Sequence, residues 1–432
     1  MRIGIPRALM FYRYYPFLKI FLEGCGHEVV SSPPTDLRIL EGGVESCVDD
    51  VCVAVKVFYG HVRYLEGVAD ALLVPRPVSV EKGPHDTFTC PKLIAAPDMA
   101  RFYRKRPPVL LEWVLDARKV PWWWGCLRLA ARLRVPPGKA RKAYRAACRA
   151  QRRFESLLSR GWLPDEAVEI WEDLVYERRE AKVPPVRRMG RGIDAGEPSM
   201  RIRPGGEDGG PIPLISRFPA AGRPPVDEGM GRTRLRLEKA MCLPRFSEKL
   251  AHVPLPRGKR KDMAHISYNG VDYHLTSVRD RTVGGNSGRT VVGVVGHPYL
   301  LGDRLVNKDL IRWLEKSGAF VVPCTMLSPQ ELKEEFSRLP DMSWSYEREL
   351  LAATSFFARC PEVQGIVYLT SFGCGPDSMV MEMARREIIS RFGKPFLEVV
   401  LDEHSADVAV RTRAEAFVDM LDRRMPVKGG RV

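Results

Sequence analysis

No two of the ten cysteines in this 432-residue chain stand in a CxxC pair, and no ferredoxin-like run of four occurs. A ferredoxin module and a zinc ribbon are excluded on that ground. No apolar run approaches the ~20 residues a membrane helix needs, so no membrane association is expected. The opening, Met1-Arg2-Ile3-Gly4-Ile5-Pro6, reads as a strand rather than a signal peptide, and the expected location is the cytoplasm. Ten cysteines in such a compartment are not expected to form a disulfide framework. A site built from cysteines far apart in the sequence remains open.

Acidic residues are scarce in two stretches. Residues 101–160 carry 17 Lys and Arg against 3 Asp and Glu, and residues 181–290 carry 21 against 11, in a chain of net charge +15. Such an arm could serve a polyanion, but a solvated helical face beside a basic loop explains it as well, and nucleic acid is not the expected partner. Clear periodicity is lost over 181–290, where Gly and Pro make up about a quarter of the residues. Segments such as RPGGEDGGPIP cannot bury enough apolar surface to offset ordering. Short structured pieces are expected only near 235–243 and 266–275.

What remains is patterned. Arg2–Pro6, Gly26–Ser31 and Ala71–Pro75 read as strands, with an aromatic-rich helix from Leu9 to Glu23 between the first two. Leu110–Leu115 reads as a further strand, and mostly helical segments run to Glu180. The pattern restarts with Val291–Val295, a helix from about Asn307 to Ser317, Ala319–Pro323, helices near Pro329–Leu339 and Tyr346–Ala358, Ile366–Leu369, Phe396–Leu401 and a last helix over Arg411–Asp422. The spacing predicts an α/β protein with two parallel-sheet domains. The divisions are 1–120 (N-terminal α/β domain), 121–180 (helical segment), 181–289 (basic insertion, expected to be disordered) and 290–432 (C-terminal α/β domain).

The stretch VQGIVYLTSFGCGPDSMVMEMARREIISRFGKPFLEVVLDEH, Val363–His404, carries the densest chemistry. Cys374 sits where a strand hands over to a helix, and ligands of open α/β sheets bind at the carboxyl ends of strands. Gly373 and Gly375 leave room near the backbone and permit positive φ. N–H groups of the following helical turn would favour a thiolate, the form that metals require. Gly296-His297-Pro298 and Asp402-Glu403-His404 lie at two further strand ends and should converge on the same edge. Cys52, Lys56 and His61 fall within ten residues, the first two on one helical face, and Cys90 precedes Pro91 in a loop. Read alone, each also suits a structural role: an inert thiol, a surface lysine, a hydrogen-bonding histidine or carboxylate.

Seven blocks resemble one family in the same order: MRIGIPRALMFYRYYPF, CVAVKVFYGHV, PRPVSVEK, CPKLIAAPDM, VVGHPYLLGD, YLTSFGCGPDS and LDEHSADVAVRTRAEAFVDM. The chain resembles the acyl-CoA dehydratase activase-related proteins, relatives of the iron–sulfur subunits of 2-hydroxyacyl-CoA dehydratases, over about residues 1–180 and 290–422. That resemblance implies two flavodoxin-like (Rossmann-like) domains around a [4Fe–4S]-type cluster. It makes Cys52, Cys90 and Cys374 the metal-ligand candidates, leaving one iron position open, with Lys56, Gly373 and Gly375 beside the cofactor. In the related dehydratases an ATP-driven activator injects one low-potential electron, which converts the thioester carbonyl to a ketyl radical. Neither a P-loop nor an acidic-Gly phosphate motif of the actin and hexokinase type is present here. The implied activator ATPase is therefore a separate protein, and an acyl-CoA ligand and a dimer are compatible with the reading. His297, Glu403 and His404 are the candidates for supplying protons near the site. The alternative function is a non-redox module that binds a phosphorylated ligand or partner at the strand ends.

Overall fold

The computed structural model of the chain describes residues 1–82, 86–102, 109–176, 266–268, 271–273 and 289–424. The first lobe runs β1 (Arg2–Ile5), α1 (Phe11–Cys25), β2 (Glu28–Ser31), α2 (Leu37–Val44), α3 (Val53–Leu65), β3 (Ala71–Ser79), α4 (Pro91–Phe102) and β4 (Val109–Asp116). Its sheet is parallel, in the order β2-β1-β3-β4. Helices α5 (Trp122–Arg132), α6 (Pro137–Leu158) and α7 (Pro164–Tyr176) follow. The aromatic density of α1 has a packing cause. The helix is covered by α6 and α7, and Phe17 stacks on the fully buried Trp113 of β4 with ring centroids 5.4 Å apart. Trp122 completes that aromatic layer through edge contacts to Tyr14 and Trp113, so the tryptophan run serves the core.

Most of the insertion expected to be disordered, including 235–243, lies outside the described residues. An antiparallel pair, β5 (Ile266–Tyr268) with β6 (Val271–Tyr273), stands where a short structured piece is expected.

The second lobe runs β7 (Val291–Val295), three short helices α8 (Pro298–Gly302), α9 (Arg304–Asn307) and α10 (Leu310–Lys316), β8 (Phe320–Pro323), α11 (Pro329–Phe336), α12 (Ser345–Arg359), β9 (Gly365–Ser371), α13 (Gly375–Met383), β10 (Phe396–Leu401) and α14 (Asp407–Arg424). Its sheet is again parallel, in the order β10-β9-β7-β8. Numbered within each lobe, both sheets read 2-1-3-4, an order that places a topological switch point between the first and third strands. The α/β expectation holds in both halves. The single helix expected over 307–317 is broken instead, because Lys308 and Asp309 both adopt left-handed backbone (φ 56° and 52°) and turn the chain between α9 and α10. In addition, β3 runs to Ser79, beyond the expected end at Pro75.

Polar contacts join the lobes. The Arg13 guanidinium grips the Glu349 carboxylate with two bonds of 2.7 Å and lies over the Tyr346 ring, 4.6 Å from its centre. His61 is buried, and burial pushes it down to about 3, with Arg7 adding to the effect. Its neutral ring meets Thr35 Oγ1 at 2.9 Å, and that hydroxyl donates to Asp303 of the second lobe. Asp165 at the start of α7 meets Arg304 of α9 at 3.3 Å. Gly302 allows this approach, since a Cβ there would fall 2.6 Å from the Tyr12 ring.

Two outcomes are expected. Arg13→Met removes a charge-assisted pair that is about three-quarters buried, and should lower unfolding free energy by about 1.5–3 kcal/mol. Chemical denaturation would read this, and an unchanged midpoint would mean the pair does not hold the lobes. Asp165 is pushed up to about 7 by burial, with Glu166 adding and Arg304 opposing. Because its folded value exceeds the ordinary carboxylate value, its contribution is full below about pH 4 and is lost as pH rises through about 7. Stability measured between pH 5 and 8 should therefore fall less steeply in Asp165→Asn than in the unaltered protein.

Candidate functional site

Each of the three candidate cysteines caps a helix. The Cys52 carbonyl accepts the N–H groups of Val55 (2.9 Å) and Lys56 (3.2 Å) at the start of α3. The Cys90 carbonyl accepts those of Leu93 (2.9 Å) and Ile94 (3.2 Å) at the start of α4, where Pro91 opens the helix. The Cys374 carbonyl accepts the Ser378 N–H (3.1 Å) and hydroxyl (2.6 Å) at the start of α13. Three helix N-termini, with their unpaired N–H groups and positive dipole ends, are thereby attached to three thiols.

Two contacts between the lobes bring these caps together. Phe88 pairs with Trp344 in a parallel bridge: the Phe88 N–H donates to Ser343 O (2.7 Å) and the Ser345 N–H to Phe88 O (2.8 Å). This lays the Cys90 loop on the second lobe. The turn before Cys374 lies against the Cys52 turn. Gly373 has φ +74°, and a Cβ on it would stand 3.3 Å from Asp50 O and 3.7 Å from the Cys52 nitrogen. Lys92 Nζ donates to the Gly373 carbonyl at 2.8 Å. Of the two glycines expected to permit positive φ, only Gly373 adopts it. Gly375 is helical, and nothing lies within 4 Å of where its Cβ would be.

All three thiols are buried and influence one another. Burial pushes Cys374 well up, and the negative charges of Asp377, Cys52 and Cys90 push in the same direction. Burial likewise raises Cys90, to about 11, with Glu347 and Cys52 adding. It raises Cys52 too, against the opposing charge of Lys92. The helix N-termini do act as the sequence suggests, since backbone N–H groups lower all three values. Desolvation outweighs them, however, and the free thiols are protonated at neutral pH.

The other candidates separate. Lys56 pairs with Glu403 across the lobes, both largely out of solvent, and the strongest cationic influence on Cys52 comes from Lys92 instead. The His404 side chain is 86% exposed, with Nε2 3.8 Å from Glu403. His297 caps α8, is 3% exposed, stacks on Tyr299 (centroids 4.9 Å apart) and places Nε2 3.9 Å from Glu347.

Sequence reasoning missed Glu347, Asp377 and Tyr299. Burial raises Tyr299 far above its usual value, and Cys374, Cys52, Asp377 and Glu347 add to the effect, so one enclosed group holds them all. Within it, His297 Nε2, Glu347 Oε2, Asp377 Oδ2, Thr370 Oγ1 and Ser371 Oγ are buried without hydrogen-bond partners among the described residues. Unpaired buried polar atoms at this density are unusual for a finished core and suit a pocket built around something else.

No group of three or more His, Cys, Asp or Glu among the described residues is arranged to hold a single metal ion. An iron–sulfur cluster makes a different demand, since each cysteine binds its own iron and the sulfurs need not surround one point. Three enclosed thiols with soft donor chemistry, ringed by unpaired polar atoms, fit such a group. No helix among the described residues is long and apolar enough to cross a membrane.

Residues 2–174 match the family model of the CoA enzyme activase uncharacterised domain. None of the curated proteins compared with this chain matches it.

The Lys56–Glu403 pair yields a stability prediction. Glu403→Ala leaves a buried ammonium unpaired and should cost about 3–5 kcal/mol. Lys56→Met combined with Glu403→Leu should cost distinctly less, as denaturant titration of the three proteins would show. Equal losses in the single and double variants would refute the pairing.

Proposed function

We propose that this chain, related through residues 2–174 to the acyl-CoA dehydratase activase proteins, is an iron–sulfur redox protein. In this reading it carries a [4Fe–4S]-type cluster on Cys52, Cys90 and Cys374. It exchanges a low-potential electron with a separate ATP-dependent activator. The observation that supports the reading best is the convergence of three helix-capping cysteines from two lobes into one buried group.

The residues have separable roles. The thiols bind by giving up their protons, so loading releases protons and is favoured as pH rises. The N-termini of α3, α4 and α13 offset the charge of the thiolates thus formed, and Lys92 adds a cation beside Cys52. The packed lobes exclude water, which strengthens each of these interactions. His297 and Glu347 stand close enough to share hydrogen-bonding duties within the same enclosure. The cluster, when bound, supplies one-electron chemistry at low potential.

Anaerobically purified protein, reconstituted with iron and sulfide, should be brown, contain iron and acid-labile sulfide, and give an EPR signal on reduction. Cys374→Ala should lose most of its iron. A colourless protein that takes up no iron under these conditions, and behaves the same with and without Cys374, would refute the reading.

A further inference from the structure

The two lobes repeat each other element by element, and the repeat points to a residue that cysteine counting passes over. Within each lobe a short helix and a longer one precede the third strand: α2 and α3 before β3, α11 and α12 before β9. One helix follows it: α4 after β3, α13 after β9. Cys90 and Cys374 occupy equivalent places, each capping the helix after a third strand. Cys52 caps the helix before the third strand of the first lobe. The equivalent place in the second lobe is the start of α12, which is capped by Trp344 and carries Glu347 in its first turn. Three of four equivalent corners hold a thiol. The fourth holds a carboxyl group.

The backbone puts that carboxyl group beside the cysteines. Phe88 and Trp344 form the parallel bridge between the lobes, so both chains leave it in the same direction. Cys90 comes two residues later on one chain and Glu347 three residues later on the other. Ser345 Oγ donates to Thr87 Oγ1 at 2.9 Å and ties the strands of the bridge together from the other side. The charge of Glu347 raises the Cys90 thiol, which requires the two to be near neighbours in a shared low-dielectric space.

Glu347 is poorly satisfied where it lies. It is 1% exposed, its Oε2 has no hydrogen-bond partner among the described residues, and Oε1 stands 3.9 Å from His297. An unpaired buried carboxyl group is costly, and a cation or metal would relieve it. Asp377 is the nearest rival, also buried with a free Oδ2, but its other oxygen accepts the Tyr368 hydroxyl at 2.7 Å. It also belongs to the same helical turn as Cys374, and so adds no new corner.

We infer that Glu347 is the fourth ligand of the site, supplying a carboxylate oxygen to the iron position that Cys52, Cys90 and Cys374 leave open. This rests on the cluster reading above. The result is a three-thiolate, one-carboxylate set in which the second lobe supplies two donors, as the first does.

The test compares the unaltered protein with Glu347→Gln, Glu347→Asp and His297→Gln. Each is loaded anaerobically with ferrous iron and sulfide, assayed for iron per chain, reduced, and examined by EPR with and without added cyanide. A cluster whose four irons are all ligated by protein should give a spectrum indifferent to cyanide. Glu347→Gln should keep its three cysteine-held irons yet show a new, cyanide-dependent signal, while Glu347→Asp and His297→Gln should resemble the unaltered protein. The assignment is overturned if the iron-loaded unaltered protein already responds to cyanide as Glu347→Gln does. It is equally overturned if His297→Gln, and not Glu347→Gln, opens the site. Failure of the unaltered protein to take up iron is a separate result and refutes the cluster reading itself.

Discussion

One backbone bridge governs where the sulfurs fall. Phe88 and Trp344 come from different lobes, and two N–H···O bonds fix their register. Buried peptide groups must find partners, so this contact cannot slip without leaving donors and acceptors unpaired. Side-chain packing alone would tolerate small shifts between two α/β lobes. A hydrogen-bonded register does not, and Cys90 lies two residues beyond it. The turn around Gly373 then sets the second constraint. The left-handed backbone there lets the Cys374 cap rest on the Cys52 cap with no Cβ between them.

The rest of the seam is notably polar for a contact that encloses a site. Arg13 with Glu349, Lys56 with Glu403, and His61 with Thr35 and Asp303 all cross it. Such contacts are a poor source of net stability, because removing charges from water costs nearly what their attraction returns. Their value lies in selection. A lobe docked in another orientation would strand a guanidinium, an ammonium and a buried carboxyl group without partners. The lobes share one strand order, and two similar sheets have many ways to pack, so a patterned seam of this kind distinguishes the productive one.

Much of the fold is legible in the residues. Runs such as Val291–Val295 and Ile366–Leu369 are short, apolar and β-branched, and the structure makes them strands. The position of Cys374 between strand and helix is equally plain, since Gly373 and Pro376 punctuate it. What escaped was set by tertiary context. Glu347 reads as an ordinary acid in a first helical turn, where acids are common, and only docking against the first lobe buries it. Lys92 looks like a surface lysine following Pro91, until the second lobe brings the Gly373 carbonyl to it. Glu403 and His404 are adjacent in sequence and invite a joint role, yet the turn after β10 sends one inward to Lys56 and the other into solvent. No periodicity encodes that divergence.

The distribution of the caps between lobes has a consequence for biogenesis. Synthesis delivers the first lobe, with Cys52 and Cys90, well before Cys374 exists. Domains tend to fold as they emerge, so the early product holds two sulfurs on a surface that still lacks its cover. Competence to capture iron therefore appears only once β9 and α13 have been made and docked. Acquisition of the inorganic centre would then act as a checkpoint, reporting that the final third of the polypeptide has reached its place.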